Sequence, residues 1–403
     1  IEYEFLVING GSSSIKFTVY RVGAAIERQL HGRIERIGLS GMNLTFSAPT
    51  IDLQEQRSIL LSEQLLAGHF SAVKFLVDWL EQRQVLEGLR AIGHRVVHGM
   101  DRAGPEIVTS DVMDALRRIG PCDPEHMPME LELIDAFRRL HPKIMQIVCY
   151  DTSFHRDMPR IAKLLPIPRR FDAKGIHRFG FHGLSYSYLI EQLFTRGDPA
   201  AIDGRVILAH LGNGASLAAV RDGKSVDTSM GFTPTAGMPM GTRTGDLDPG
   251  LTDYLARVEG LDAIGFQRLV TRESGLLGIS ETSSDMRDLL NRQAVDVRAA
   301  EAVQVFCYAA KKWIGAYAAV LGGLDTLVFA GGIGEGAPHV RAAICHDLQF
   351  LGIELDQSRN EQSAGVISVD GARVTVRVIA TNEELMIARS IVRLCPAEVE
   401  MST

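Results

Sequence analysis

FLVINGGSSSIKFTVY (residues 5–20) consists of two apolar runs joined by a turn of asparagine, glycine and serine, with one lysine just beyond it. The flanks predict two strands. Between them Asn9, Gly10, Gly11, Ser12, Ser13 and Ser14 offer backbone N–H groups and small hydroxyls, and leave room for a ligand to approach the main chain. Such a nest suits phosphate, and Lys16 adds a point charge to it. The design recurs in VILAHLGNGASLAAV (residues 206–220). Aligning Ser14 with Ser216 sets an offset of 202 residues, half of the 403 in the chain, which implies a duplicated domain. A third glycine cluster, Gly331, Gly332, Gly334 and Gly336, follows the apolar run Thr326–Ala330 and precedes a helix predicted from Pro338. It reads either as a nucleotide loop or as an ordinary strand-to-helix turn.

A chain of 403 residues exceeds one compact core and suits two domains with a cleft. The formal net charge is −7, with acidic and basic residues interspersed, so nothing in the pattern favours nucleic acid. Five cysteines without CxxC or metal-ligand spacing favour reduced thiols and a cytoplasmic location. The least polar stretch, residues 313–334, is broken by Asp325 and its neighbouring glycines, which argues against a membrane span. No targeting segment is expected.

Apolar periodicity gives a mixed α/β chain. In the first half, strands are expected over 27–51, 91–98 and 143–150, with helices over 63–84, 111–118 and 129–140. A proline-containing segment, 151–178, leads to a second half that opens with the hairpin at 206 and continues through a long loop, 227–250, rich in glycine and proline. A loop of that length inside a domain is usually functional or disordered. Helices are expected over 252–258, 263–271 and Val297–Leu321, then a strand over 373–380 and a closing helix to residue 394.

Several polar groups stand where an apolar run gives way to a turn, the usual position of α/β sites. Arg95, in GHRVVHG, reads as a bidentate clamp for a small carboxylate or as a surface arginine in a salt bridge. Asp151, in YDTSFH, is suited to orienting a nucleophile, accepting a proton or holding magnesium, or else caps a turn. His182, in FGFHG, and Arg243, in MPMGTRTGDLDPG, are candidates for stabilising the charge on a transferring phosphoryl group. Asp285 and Arg287 bracket a nucleotide, or Asp285 simply caps a helix. Glu383 is a magnesium ligand or a favourable first-turn charge. There is no Walker A sequence, GxSxG elbow or HExxH motif.

At these residues the chain resembles the acetokinase family of the sugar kinase, Hsp70 and actin superfamily. Phe5 to Lys16 matches the N-x-G-S-S-S-x-K pattern and His210 to Gly223 matches H-x-G-x-G-x-S-L. GHRVVHG, YDTSFH, FGFHG, GTRTGDLDPG, SSDMR, GGIGE and TNEELMIAR follow in family order across nearly the whole chain. The resemblance implies an α/β fold of two duplicated actin-like ATPase (ribonuclease H-like) domains around a central cleft. The N-terminal lobe, for carboxylate and phosphate, is expected at 1–150 plus about 384–403, and the nucleotide-binding C-terminal lobe at 151–383. A homodimer, no nucleic-acid or membrane partner, and reversible transfer of the γ-phosphoryl of ATP to a short-chain carboxylate, giving acyl phosphate and ADP, are also implied. Magnesium (or manganese) would be held by Asn9 and Glu383. Lys16, Ser12 and Ser14 would contact phosphates, and Arg95 the substrate carboxylate. Asp151 would act as catalytic acid or magnesium organiser, and His182 and Arg243 would stabilise the transition state. His210, Leu211, Gly212, Asn213 and Gly214 would surround the nucleotide, together with Asp285, Met286, Arg287, Gly332, Ile333, Gly334, Glu335 and Gly336.

Two departures bear on substrate and nucleotide. Family members carry an apolar residue ahead of the histidine in APLHNP; here residues 123–128 read DPEHMP, with Glu125 at that position. A carboxylate facing an incoming carboxylate repels it unless protonated, paired or turned away. Val97, Phe181 and Pro234 match the usual apolar wall. Gly336 replaces a common asparagine near the nucleotide. Alternatives to acetate are therefore propionate, butyrate or a functionalised acid, and the rival of another class is a non-catalytic ATP-switch protein.

Overall fold

The computed structural model describes residues 2–11, 14–37, 42–48, 57–60 and 69–395, with side chains described throughout except in 57–60 and 69–71. They fall into two compact units, Ile1–Ser153 with Asn382–Thr403, and Phe154–Thr381.

The first unit is built on β1 (Tyr3–Gly10), β2 (Ser14–Val22), β3 (Ile26–Glu35), β4 (Asn43–Ser47), β5 (Arg57–Leu60), β6 (Leu89–Val96), β7 (Glu106–Ile107) and β8 (Met145–Tyr150), in the sheet order β5-β4-β3-β2-β1-β6-β8-β7. β1 is central, antiparallel to β2 and parallel to β6, and is buried from Phe5 to Gly10. That is why its sequence is almost continuously apolar rather than alternating. Leu6, Ile8 and Ile92 face a core shared with the helices His69–Gln82 and Met127–Leu140. Alternation turns Val7, Asn9, Gly93 and Arg95 to the other face. There the helix Glu383–Leu394 lies against β6: a Cβ on Gly93 would stand 2.5 Å from Ile387. Asn382 caps that helix by accepting the Leu385 N–H at 2.9 Å.

The second unit contains β9 (Arg205–Leu211), β10 (Ala215–Arg221), β11 (Lys224–Thr228), β12 (Thr326–Ala330) and β13 (Thr375–Val378), in the order β11-β10-β9-β12-β13. β9 pairs antiparallel with β10 and parallel with β12, and β12 pairs parallel with β13. This repeats β3-β2-β1-β6-β8 strand for strand, so the duplication read from two hairpins is present as topology. The hairpins are not identical. Gly10↔Ile15 closes the first around residues 11–14, whereas Leu211↔Ala215 closes the second around 212–214, one residue fewer. A single offset therefore cannot align both strands.

The helix Gly183–Thr195 packs Tyr186, Leu189 and Leu193 on Val206, Leu208, Ala218 and Val328. The helix Val297–Leu321 packs on β9 and β10, starting at an Asp296 cap and ending at Gly322 in the left-handed region (φ 69°). The loop expected from residue 227 begins after β11 and runs irregularly over 229–249 before the helix Gly250–Val258. The five cysteines form no disulfide, and no helix among the described residues is long and apolar enough to cross a membrane.

Candidate active site

In each unit the polar residues gather at the carboxyl ends of the parallel strands, where the chain leaves the sheet and open α/β folds bind ligands. In the first unit β1 ends at Asn9 and Gly10, β6 at Arg95 and Val96, and β8 runs into Asp151. Arg95 is largely buried and Asp151 fully so. One oxygen of Asp151, Oδ2, accepts from Arg95 Nε at 3.0 Å and from Nη2 at 2.5 Å. Arg95 Nη1 donates to Asn9 Oδ1 at 3.3 Å, and Asn9 Nδ2 donates to Glu383 Oε2 at 3.3 Å. Burial works against the guanidinium's charge, but Asp151, then Glu383 and Glu130, hold it more firmly protonated than a free arginine. The surface-arginine reading of Arg95 is thereby excluded.

Lys16 stands opposite Asn9 in the β1–β2 ladder and is exposed; Ser14 opens β2, its carbonyl accepting the Gly11 N–H at 2.8 Å. Ser12 lies outside the described residues. Val97 is buried just past β6. Glu125 is half-buried in the turn before the helix Met127–Leu140, its N–H donating to Asp123 Oδ1 at 3.1 Å. Asp123 also accepts from the His126 ring, at 3.0 Å to each oxygen. Burial raises the Asp123 pKa, but the His126 ring and the two backbone N–H groups outweigh it and hold the carboxyl below its ordinary value.

The carboxyl that faces Arg95 from this helix is Glu130, which the sequence reading passed over. Its side chain is fully buried, with Oε2 accepting the Val97 N–H at 2.9 Å and Oε1 3.8 Å from Arg95 Nη1. Desolvation pushes its pKa up to about 8 against the pull of Arg95 and the Val97 N–H, aided by the negative charges of Asp123 and Asp151. A signal existed in the sequence. Glu130 follows Met127 by three residues and precedes Ile134 by four, so it occupies the buried stripe of its helix.

In the second unit His182 precedes the helix Gly183–Thr195 in a left-handed conformation (φ 59°). Its Nδ1 bonds Ser216 Oγ at 2.8 Å, and its ring stacks on His210 with centroids 4.3 Å apart. Tyr186 Oη shares the Ser216 hydroxyl. A Cβ placed on Gly214 would lie 3.2 Å from His182 Nε2 and 3.7 Å from Arg243 Nη1, so glycine leaves both groups open to one point. Arg243 Nη1 donates to the Pro234 carbonyl at 3.0 Å, and both Pro234 and Phe181 are buried. Asn213 is exposed, with its carbonyl accepting the Gly241 N–H at 3.1 Å; half-buried Gly212 and buried Leu211 precede it.

The third glycine cluster is itself a short helical run, Gly331–Gly336, at the end of β12. Gly331 has φ 77°, and a Cβ there would stand 2.6 Å from the Leu211 carbonyl oxygen, so the position demands glycine. Glu335 Oε1 accepts the N–H groups of Gly331 (2.8 Å) and Thr381 (3.2 Å). Thr381 Oγ1 bonds Ser185 Oγ at 2.7 Å, and Ser185 bonds His210 Nδ1 at 2.8 Å, linking the glycine run to the stacked histidines. Gly332 and Gly336 are exposed, Ile333 half-buried and Gly334 buried.

Arg341, also unforeseen, is fully buried beneath this run. Its Nη1 donates to the carbonyls of Gly334 (2.8 Å) and Glu335 (2.9 Å), and Nε and Nη2 donate to Asn360. Asp285 caps the helix Met286–Arg292 and also clasps Arg287, whose side chain is exposed, while Met286 is buried.

The acetokinase family profile matches residues 4–389. The acetate kinase of Rhodopseudomonas palustris is 41% identical over 96% of this chain and 98% of its own length. The propionate kinase of Citrobacter rodentium is 39% identical over 100% and 99%. The crystal structure of a propionate kinase from Francisella tularensis superposes with a TM-score of 0.87 at 34% identity, covering 96% of this chain and 98% of that one. The chain belongs to the acetokinase family, ATP-dependent phosphotransferases with a carboxyl acceptor on the actin-like ATPase fold.

Proposed function

We propose that the protein catalyses reversible phosphoryl transfer between ATP and acetate or propionate, giving acyl phosphate and ADP. The observation that carries this reading is the convergence of His182 and Arg243 on Gly214, two groups able to balance charge on the equatorial oxygens of a transferring phosphoryl. Arg95 receives the substrate carboxylate through its remaining N–H groups. The acid is already ionised at neutral pH, so it needs orientation rather than deprotonation. Asp151, gripping Nε and Nη2, is a positioning residue for that guanidinium. A carboxylate oxygen forms the new bond to the γ-phosphorus as the bridging P–O bond to ADP breaks. Val97, Phe181 and Pro234 are the apolar groups assigned to the acid's alkyl part. Glu125 is assigned to the turn beside it.

Ser14, Lys16 and the 212–214 turn are assigned to phosphates, with Ser12 carried over from the family pattern. His210, Leu211, the Gly332–Gly336 stretch and Asp285, Met286 and Arg287 are assigned to the nucleotide. Magnesium usually takes one or two protein oxygens together with water and phosphate. Asn9 and Glu383, an amide and a carboxylate in direct contact, fit that partial donor set, and no group of three or more metal-ligating side chains occurs among the described residues. When bound there, magnesium would neutralise phosphate charge.

Val305 and Tyr308 expose apolar surface along the helix Val297–Leu321, beside a cleft of roughly 790 Å³ that Leu247, Leu269 and Trp313 also line. We assign this face to a homodimer. Light scattering of a Tyr308→Glu variant tests it, a dimer unchanged by the charge counting against the assignment. Five thiols outside any disulfide suit a reducing compartment, and we place the enzyme in the cytoplasm.

The test of function is a hydroxylamine trap for acyl phosphate with ATP and magnesium over acetate, propionate, butyrate and hydroxy acids. Hydroxamate from acetate or propionate supports the reading. None from any acid overturns it in favour of an ATP-switch protein.

A further inference from the structure

Ser216 brings a hydroxyl to a strand face that is otherwise apolar. It lies on the same side of β10 as Ala218 and Val220, which pack beneath the helix Gly183–Thr195, and it is fully buried. A hydroxyl in that position is costly unless its hydrogen bonds are made. Two partners meet it: His182 Nδ1 at 2.8 Å, and the Oη of Tyr186, which is itself fully buried in the first turn of the helix. The β9–β10 register sets His210 directly opposite Ser216, and the His210 ring lies 4.3 Å, centroid to centroid, from the ring of His182. One cross-strand pair thus holds the His182 imidazole by its edge and by its face. The other ring nitrogen, Nε2, is 3.2 Å from the place of a Cβ on Gly214, and Arg243 Nη1 is 3.7 Å from the same place.

The protons along this chain can be placed. Ser216 has a single proton, so it donates to one of its two partners and accepts from the other. Arg243 across Gly214 and His210 on the ring face both disfavour a second proton on His182, which leaves a neutral ring with one N–H. Resting on the carboxylate-kinase reading, we infer that Ser216 and Tyr186 are positioning residues that fix the tautomer of His182: Tyr186 Oη–H donates to Ser216 Oγ, Ser216 Oγ–H donates to His182 Nδ1, and Nε2 carries the ring proton toward the transferring phosphoryl. The opposite order would place the ring proton between Nδ1 and Ser216. It would then aim the lone pair of Nε2 at phosphoryl oxygens, which only accept. With the order assigned, His182 is a directed neutral donor and Arg243 supplies the positive charge beside it. The two hydroxyls act through the imidazole and touch no reacting atom.

Nitrogen NMR of the whole protein, isotope-labelled in its histidine rings and held near neutral pH, tests the assignment, with the His182 signals identified by their loss in His182→Gln. The wild type should show one neutral tautomer, with the proton on Nε2 and a bare, hydrogen-bonded Nδ1. A proton on Nδ1, or a doubly protonated ring, overturns the inference. Two variants separate the effect of the hydroxyls from the ring's own preference. Tyr186→Phe removes the donor to Ser216 and lets that hydroxyl accept from Nδ1–H, so a second tautomer should appear. Ser216→Ala should move the Nδ1 signal to that of an unbonded nitrogen and lower kcat about tenfold, with the KM for ATP changed by less than about twofold. An Nδ1 signal unmoved in Ser216→Ala, a single tautomer retained in Tyr186→Phe, or an unchanged kcat in Ser216→Ala refutes the role. The spectra need no turnover. Absence of hydroxamate from every acid would therefore remove the kinase reading, while the spectra alone would still decide the order of the protons.

Discussion

Asp151→Asn is the most exacting test of how the first unit holds its cation. The substitution keeps the shape of the side chain but removes the charge that receives Arg95 Nε at 3.0 Å and Nη2 at 2.5 Å. Hydrogen bonds to charged groups contribute about 1.5–3 kcal/mol each, and leaving one member of a buried pair uncompensated costs about 3–5 kcal/mol. Glu130 at 3.8 Å offers a partial substitute, so the loss falls at the lower end, about 3 kcal/mol near neutral pH. The linkage has a definite sign. Removing Asp151 takes away a charge that raises the Glu130 pKa, so that pKa falls in the variant. The deficit then shrinks as pH rises toward about 8. Each unit contains one of the two tryptophans, Trp79 in the first and Trp313 in the second. Urea unfolding followed by fluorescence in a Trp313→Phe background therefore reports the first unit alone. A deficit under about 1 kcal/mol, or one that grows with pH, would refute the reasoning.

Arg341→Met leaves the carbonyls of Gly334, Glu335 and Asn360 without their donor; it should cost the second unit about 2–4 kcal/mol and raise the KM for ATP more than that for the acid, and Arg341→Lys should not rescue it. Urea curves read by Trp313 and paired KM measurements check this. Gly214→Ala puts a methyl 3.2 Å from His182 Nε2 and 3.7 Å from Arg243 Nη1, so kcat should fall about 10–100-fold with stability changed by less than about 1 kcal/mol. An unchanged kcat would remove Gly214 from the assigned site. His94 and His155 are buried with desolvation lowering each pKa to about 4 from 6.5. The neutral ring's stability is complete above pH 6.5 and is lost as pH falls toward 4, at about 1.4 kcal/mol per pH unit for each. Urea midpoints between pH 6.5 and 5 should fall for the first unit, and His94→Gln should flatten that slope.

How much of this could be read in the sequence depended on whether a signal was local. The β1–β2 hairpin was legible because a small polar turn interrupts two apolar runs, and Val297–Leu321 because an aspartate and a glycine bound an alanine-rich period. Arg95, Asp151, His182 and Arg243 were legible because glycines or strand ends flank them. Glu130 and Arg341 were less so, since a charged residue in an amphipathic helix ordinarily faces water and only its spacing within the apolar stripe argues otherwise. Both occupy the buried stripe, and only the tertiary packing of a strand end against a helix gives them partners. Likewise the shorter second hairpin was hidden by an offset that matched one serine to another.

His182 sits at φ 59°, a conformation that costs a residue with a Cβ roughly 1 kcal/mol or more and a glycine almost nothing. Glycine there would relieve the backbone but would delete an imidazole that bonds Ser216 and stacks on His210, so the strained conformation is offset by the contacts that it orients. A residue held at positive φ by two side-chain partners is one whose direction the fold fixes at a cost, which is the usual mark of a position kept for what its side chain faces.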